Sequence, residues 1–510
     1  MKTDTAQKTS APQAAPAQTP STGWSAKPSV RPAVTTPTSS AAPIMPAVTG
    51  NAPFIVTSGM VEMAKKSGSP AVQAGVLGMI AKDRSNLLLG NNETRVQRAQ
   101  QLFDGMTPQQ VGQVRAAYIK EFGMDPEHHI RSDDWGQPLA RLDRATETQL
   151  MGALNGPQMK QDAGELNRML KAANAGTLTQ ADRQEYFAMM PRIGLYDSPT
   201  RQQAGGPNLD SQERTLIEDA FQKQGTGVPF DQALKTIESK MPGPDLTPKG
   251  PREKNIAAVV SSHGAQWQEL MGWADKMKDA GYNVQLFTPE GRPVAFQRDS
   301  MDVSTHTSGF GAPADLDPAG RTGQIAKELL GNTAPASSFD PKNFGAVYLA
   351  GGLGFNEDVA VAKPETLPNG QTHTKLTANP NIEKMMNSAI DQRLPIVALC
   401  HGPTLLAALD ININGKSEPL NKGIETASLP PFEGYVGLTG RKEIQFNYDV
   451  NTHNSLAETG GETHVLKDIA NMSRVVKQEK DGQNIITGPG PQAASNLADA
   501  TMEVLKKRWP

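Results

Sequence analysis

The sequence contains a single cysteine, Cys400, and it stands directly before His401. The segment 395–399 before it is apolar and rich in β-branched residues, and 404–409 after it has the composition of a helix start. A cysteine between a strand and a helix occupies a sharp turn at the carboxyl end of a sheet, where the helix N-terminus favours negative charge. Because the thiolate is the reactive form of cysteine, this pattern predicts a nucleophile, and a buried, inert cysteine is the alternative.

The segments around Cys400 alternate between short apolar strands and helices. We predict strands at 255–262, 282–287, 344–350 and 394–399, and helices at 266–280 and 382–393. This alternation predicts right-handed crossovers and a flavodoxin-like parallel sheet sandwiched by helices, with Cys400 on a nucleophile elbow. Cys400, the glycines Gly351 and Gly352, and the loop after Ser262 all follow strands. We therefore expect a site at the carboxyl edge of the sheet.

The rest of the chain divides by composition. Residues 1–52 are rich in Pro, Ser, Thr and Ala and are expected to form a disordered tail. Residues 53–243 have helical periodicity and predict a helical accessory domain; Thr107 and Gln110 match the two ends of a capping box. A linker rich in Pro and Gly covers 244–254, and the α/β domain covers 255–510.

The overall composition narrows the functional classes. With 50 basic and 53 acidic residues, the chain offers no electrostatic argument for nucleic acid or for an anionic membrane. A single cysteine excludes an internal disulfide and is consistent with a reducing compartment. No apolar run is long enough to span a bilayer. The tail resembles the leaders of bacterial type III secreted effectors, although a plain flexible tail fits equally well. Cytoplasmic residence and non-Sec secretion into a host cell therefore both stay open.

The C-terminal half resembles the ThiJ/PfpI family, which is related to class I glutamine amidotransferases, and within it the glyoxalase III-like chaperone branch. The resemblance extends over 255–510. It is carried by Trp267-Gln268-Glu269-Leu270, Lys278-Asp279-Ala280-Gly281-Tyr282, Thr288-Pro289-Glu290-Gly291-Arg292-Pro293-Val294, Gly351-Gly352-Leu353-Gly354 with Asp358, Leu399-Cys400-His401-Gly402-Pro403, Gly434-Tyr435-Val436-Gly437-Leu438 and Ile486-Thr487-Gly488-Pro489-Gly490-Pro491.

The resemblance implies specific roles for residues at the expected site. Cys400 becomes the nucleophile, Glu269 the acid that approaches it, His401 the acid and base, and Glu433 the acid that orients His401. Backbone N–H groups of Gly352, Leu353 and His401 are then expected to hold an oxyanion. Leu353 stands where relatives usually have histidine, which implies a more apolar pocket.

The resemblance also implies a reaction: conversion of 2-oxoaldehydes such as methylglyoxal to 2-hydroxy acids such as lactate, without metal, glutathione or another cofactor. A chaperone or protein-protective module is one alternative. A secreted effector that uses the fold for partner binding, or for hydrolase or amidotransferase chemistry, is another. A small reactive aldehyde is the expected partner of the site. A homodimer and a protein partner for the helical domain stay open, and we expect neither nucleic acid binding nor a membrane span.

Overall fold

A computed structural model describes residues 56–82, 92–122, 126, 144–193, 209–262, 264–296, 321–352, 354–366, 372–413, 415–429 and 452–509. The predicted tail, Leu353 and Glu433 lie outside these residues.

The N-terminal part is helical, as its periodicity predicts. Thr107 and Gln110 form the expected capping box: the Gln110 N–H donates to Thr107 Oγ1 (3.3 Å), and the Thr107 N–H donates to Gln110 Oε1 (2.8 Å). The described helices are α1 (Ser58–Ser67), α2 (Pro70–Lys82), α3 (Asn92–Phe103), α4 (Pro108–Phe122), α5 (Arg144–Ala175), α6 (Gln180–Ile193), α7 (Leu209–Gln222) and α8 (Phe230–Lys240).

The C-terminal part alternates strands and helices. Its strands are β1 (Asn255–Val259), β2 (Asn283–Thr288), β3 (Ala334–Pro335), β4 (Ala346–Leu349), β5 (Ala360–Thr366), β6 (Thr372–Ala378), β7 (Ile396–Leu399), β8 (Asp410–Ile413), β9 (Lys416–Pro419), β10 (Glu425–Thr426), β11 (Glu462–Thr463), β12 (Val476–Lys480) and β13 (Gln483–Gly488). Its helices are α9 (Trp267–Asp279), α10 (Arg321–Gly331), α11 (Pro380–Asp391), α12 (Thr404–Ala408), α13 (Thr452–Glu458), α14 (Val465–Ala470) and α15 (Ala494–Arg508).

A seven-stranded sheet forms the centre of this part, in the order β12-β13-β7-β4-β1-β2-β3. Every neighbouring pair is parallel except β12 and β13, which form an antiparallel hairpin at one edge. The strands β1, β4 and β7 are completely buried, because helices cover both faces of the sheet. The predicted parallel sheet between helices is therefore confirmed, with one antiparallel edge strand added.

Alternate residues of β1 face two separate hydrophobic clusters. Ile256 and Ala258 belong to a cluster that includes residues of α9, α10 and α15, and also residues of α5 to α8 from the helical part. Ala257 and Val259 belong to a cluster with α11, α12 and α13. The helices α5 to α8 therefore share one hydrophobic core with the sheet. Because burial of apolar area is the main stabilising contribution to folding, this shared core stabilises both parts.

Arg183 of α6 joins the helical part to the α/β part. Its guanidinium donates to the carbonyl oxygens of Pro242 (3.0 Å) and Thr333 (2.6 Å) and lies over the ring of Phe187. Burial lowers the pKa of Arg183 to about 10. The two terminal nitrogens of this buried guanidinium are therefore hydrogen-bonded to backbone oxygens, and these bonds fix α6 against the end of α10.

Residues 363–380 contain most of an antiparallel hairpin, formed by β5 and β6, and the start of α11. None of the helices within the described ranges is both long and apolar enough to cross a membrane.

Candidate functional site

Cys400 occupies a strained turn at the end of β7. Its φ is +59°, a region that side chains other than glycine rarely adopt. The Cys400 N–H donates to the Gly488 oxygen (2.9 Å), and the Cys400 oxygen accepts from the Leu429 N–H (3.1 Å). Strain of this kind persists only where neighbours hold the backbone from several sides. The turn has the form of the nucleophile elbow that the sequence predicts.

Gly402 makes this tight turn sterically accessible. Its N–H donates to the Leu399 oxygen at 2.7 Å, and a Cβ at this position would overlap the carbonyl oxygens of Leu349 and Leu399. Only glycine leaves room for the two strands to approach the turn so closely.

His401 lies beside the thiol in an almost completely buried position. Its side chain is 2% exposed, and Nδ1 is 3.4 Å from Cys400 Sγ. A neutral imidazole with its proton on Nε2 presents Nδ1 as an acceptor toward the thiol. The arrangement therefore allows proton transfer between the two side chains.

Glu269 enters the site from the first turn of α9. Gln266 begins this helix, with its side chain accepting from the Gln268 N–H, and Glu269 is completely buried. Burial raises the pKa of Glu269 to about 7, even though the Cys400 thiol, His401 and the Gly351 backbone favour its charged form. The carboxyl group can therefore be either acid or base near neutral pH.

Two aromatic residues behind Glu269 hold its helix in place. The Tyr348 hydroxyl donates to the backbone oxygen of Glu269 at 3.0 Å. The Tyr348 ring stacks on Trp273, one helical turn further along α9, with ring centroids 4.0 Å apart. Both rings are completely buried, so the position of Glu269 is set by packing as well as by hydrogen bonding.

The glycines after β4 form the adjacent wall. A Cβ at Gly351 would overlap both Glu269 Oε2 and Cys400 Cβ, which shows that these groups meet at Gly351. Gly352 has a φ of +117° and packs against the backbone of Gly264 and Ala265. The structure therefore brings together Cys400, His401, Glu269 and Gly352. It does not describe Leu353 or Glu433.

The loop after β1 is closed by Asp358. Its Oδ2 accepts hydrogen bonds from the Ser262 N–H (2.8 Å) and hydroxyl (2.6 Å). The Gly354 N–H donates to the Gly264 oxygen, which joins the same loop to the glycine segment. The loops after β1 and β4 consequently form one connected wall at the carboxyl edge of the sheet.

If this site turns over the 2-oxoaldehydes that the sequence resemblance implies, Gly351→Ala is expected to lower that turnover at least about 100-fold, because the new methyl group must displace Glu269 or Cys400. Steady-state kinetics with a 2-oxoaldehyde measures this loss. The matched control is Gly272→Ala in α9, where the nearest atom to the new Cβ is Ala494 Cβ at an ordinary 3.7 Å. Equal activity of G351A and wild type would show that these groups can separate without consequence.

A buried polar cluster near the elbow escapes the sequence-based reasoning. Asp468 is completely buried, His453 is 2% exposed, and their closest side-chain atoms, Oδ2 and Nε2, are 3.4 Å apart. Arg474 forms ion pairs with both Asp468 and Glu425. His453 and Asp468 lie on two short helices, α13 and α14, which are too short to show an apolar periodicity. The pattern of residue types therefore could not have revealed this cluster.

Comparison with known proteins finds likeness among solved structures only. Glyoxalase III from Candida albicans is 19% identical, with 50% of this chain and 98% of that chain covered and a TM-score of 0.38. The 24 kDa Rapid Encystment Protein of Francisella tularensis is 23% identical, with coverages of 49% and 99% and a TM-score of 0.36. A ThiJ/PfpI domain protein from Brachyspira murdochii is 16% identical, with coverages of 51% and 99% and a TM-score of 0.29.

No family model and no curated protein matches this chain. Each of these three solved structures is matched by about half of this chain. The fold itself is established by the chain's own sheet order and by the turn at Cys400.

Proposed function

We propose that this chain is a cysteine-dependent, glyoxalase III-like enzyme that converts 2-oxoaldehydes such as methylglyoxal into 2-hydroxy acids such as lactate. The observation that carries the proposal is the elbow cysteine with His401 Nδ1 at 3.4 Å and the buried carboxyl of Glu269 next to it. Neither glutathione nor a metal nor another cofactor takes part in the proposed reaction.

The first proposed step joins the substrate to Cys400. The thiol proton passes to His401 Nδ1, and the thiolate forms a C–S bond with the aldehyde carbon. The electron pair of the C=O bond moves to oxygen, which takes the proton back from His401 and gives a hemithioacetal. Backbone N–H groups of Gly352, Leu353 and His401 are proposed to stabilise the developing charge, and Glu433 to orient His401.

The second proposed step moves a proton between the two substrate carbons. Ionised Glu269 removes the proton from the former aldehyde carbon, giving an enediolate whose charge lies on the former ketone oxygen. That oxygen takes the proton of the hemithioacetal hydroxyl by way of His401, the C=O bond of the thioester forms, and Glu269 returns its proton to the neighbouring carbon. A pKa near 7 suits this exchange, because neither protonation state of Glu269 is strongly disfavoured. The result is a thioester of the 2-hydroxy acid. Water then cleaves it, releasing the acid and restoring the Cys400 thiol.

The proposed reaction is an internal oxidation and reduction of the substrate. One carbon is oxidised from aldehyde to acid while its neighbour is reduced from ketone to alcohol, so no external oxidant or reductant is needed.

Incubation of the purified full-length chain with methylglyoxal, in the absence of glutathione, tests the proposal. We expect many equivalents of lactate per chain. Hydroxyacetone, which lacks the aldehyde group, is the matched control and should give no product. Methylglyoxal that disappears only in proportion to the lysines and arginines it modifies, with no lactate formed, would contradict the proposal.

A further inference from the structure

Three successive backbone N–H groups after β10 are each held by a different element. The Ala427 N–H donates to Thr487 Oγ1 (2.8 Å), and the Ser428 N–H donates to Asp468 Oδ2 (3.3 Å). The Leu429 N–H donates to the Cys400 oxygen (3.1 Å). The segment 427–429 therefore connects Cys400 directly with Asp468, which the proposed mechanism does not use.

Asp468 is the centre of a buried polar network formed by His453, Asp468, Arg474 and Glu425. Its carboxylate lies between the Arg474 guanidinium, the His453 ring and the Ser428 N–H. Arg474 also pairs with Glu425, the first residue of β10, so the network holds the strand that leads into 427–429. His464 and Lys467 lie 3.5 Å from Glu425 on the outer side.

The burial of this network indicates a specific role. The Asp468 side chain is completely buried and that of Arg474 is only 14% exposed. An ion pair in such a position contributes little net stability compared with apolar residues of the same size, because both charges lose their hydration. What it does provide is a fixed geometry for the backbone N–H group that it binds.

That geometry matters for Cys400 because its backbone is strained. With a φ of +59°, the turn is held at its N–H by Gly488 and at its oxygen by Leu429. Loss of either contact lets the turn relax, and Cys400 Sγ then moves relative to His401 and Glu269.

We propose that Asp468, held by Arg474, is a positioning residue that keeps Cys400 in its reactive conformation through the backbone of Ser428 and Leu429. The proposal rests on the role of Cys400 as nucleophile. Thr487 acts on the same segment from the opposite side, through the Ala427 N–H.

The test is the pH profile of the reaction of Cys400 with iodoacetamide, a small electrophile, in the full-length protein. Cys400 is the only cysteine, so the alkylation rate reports on this position alone. The variants are Asp468→Asn, which removes a negative charge, and Arg474→Gln, which removes a positive one. The exposed pair of Lys477 and Glu503 supplies the control, Glu503→Gln.

We expect both network variants to slow alkylation at pH 7 several-fold. Both should also shift the midpoint of the profile in the same direction, because both release the same backbone contact of Ser428. A direct electrostatic effect would shift the two variants in opposite directions, because they remove opposite charges. Opposite shifts, or unchanged profiles, would overturn the proposal. E503Q should match the wild type.

A third variant tests the proposal if Asp468→Asn and Arg474→Gln do not fold. Thr487→Val keeps shape and charge and removes only the acceptor for the Ala427 N–H. It should shift the profile in the same direction, and an unchanged profile would overturn the proposal. The readout uses no 2-oxoaldehyde. A shifted profile without lactate formation would therefore contradict the proposed reaction and support the positioning role. Lactate formation with an unshifted profile would support the proposed reaction and contradict the positioning role.

Discussion

Cys400→Ala is expected to lower the conversion of methylglyoxal to lactate by about 10⁴-fold or more, to the level of the uncatalysed reaction. No other side chain of the chain can replace it, because the sequence holds no second cysteine. Since the thiol is 4% exposed and alanine fits the same space, the variant should fold normally. Lactate measured against time at saturating methylglyoxal provides the comparison.

The control for this substitution is G272A, which changes an exposed residue of α9 away from the thiol. Lactate formation by C400A at a rate comparable with the wild type would remove the cysteine from the mechanism. Suppression of protein aggregation that survives in C400A, without turnover in either protein, would favour the chaperone alternative instead.

Glu269→Gln is expected to make the protein more stable at high pH and less active. The folded-state pKa of Glu269 is about 7, against an ordinary value of 4.5, because burial disfavours its charge. Between these two values the unfolded chain loses the proton while the folded chain keeps it, so stability falls as pH rises through this window. The loss is complete above pH 7 and amounts to about 3 kcal/mol.

Glutamine carries no charge, so E269Q should lack this decline. Denaturant unfolding at pH 4.5 and at pH 8 measures the free energy of unfolding of both proteins. E269Q should be more stable than the wild type only at pH 8. Turnover should fall about 10²- to 10⁴-fold, the usual contribution of a general acid and base. Glu503→Gln is the control, because Glu503 is exposed and its pKa is lowered to about 2 by Lys477 and Lys507. The same difference between E269Q and wild type at both pH values would show that Glu269 ionises normally in the folded protein.

The central sheet was predictable because its strands carry strong local signals. The apolar runs at 255–262 and 394–399 contain β1 and β7, and the helix predicted at 266–280 contains α9. The antiparallel edge formed by β12 and β13 was not anticipated. Its strand at 476–480 has one valine followed by four charged or polar residues, a composition as typical of an exposed loop as of an edge strand.

The site was only partly predictable. The turn at Cys400 follows from strand, cysteine and helix in succession, whereas Glu269 lies in a charged helix and would by pattern alone face solvent. Its burial depends on long-range packing against Gly351 and Tyr348. In α14 the apolar pattern is inverted: Leu466 is 81% exposed and Asp468 is 0% exposed. Arg474 and the Ser428 N–H decide this orientation, and neither adjoins the helix in sequence.

The single cysteine permits a direct test of the central claim in the unmodified chain. Wild-type protein is alkylated with iodoacetamide to a series of known extents, the fraction modified at Cys400 is measured by mass spectrometry, and each sample is assayed for lactate formation from methylglyoxal without glutathione. We predict that activity falls in direct proportion to the modified fraction and reaches zero when every Cys400 is alkylated. Full activity in protein whose Cys400 is completely alkylated would contradict the account.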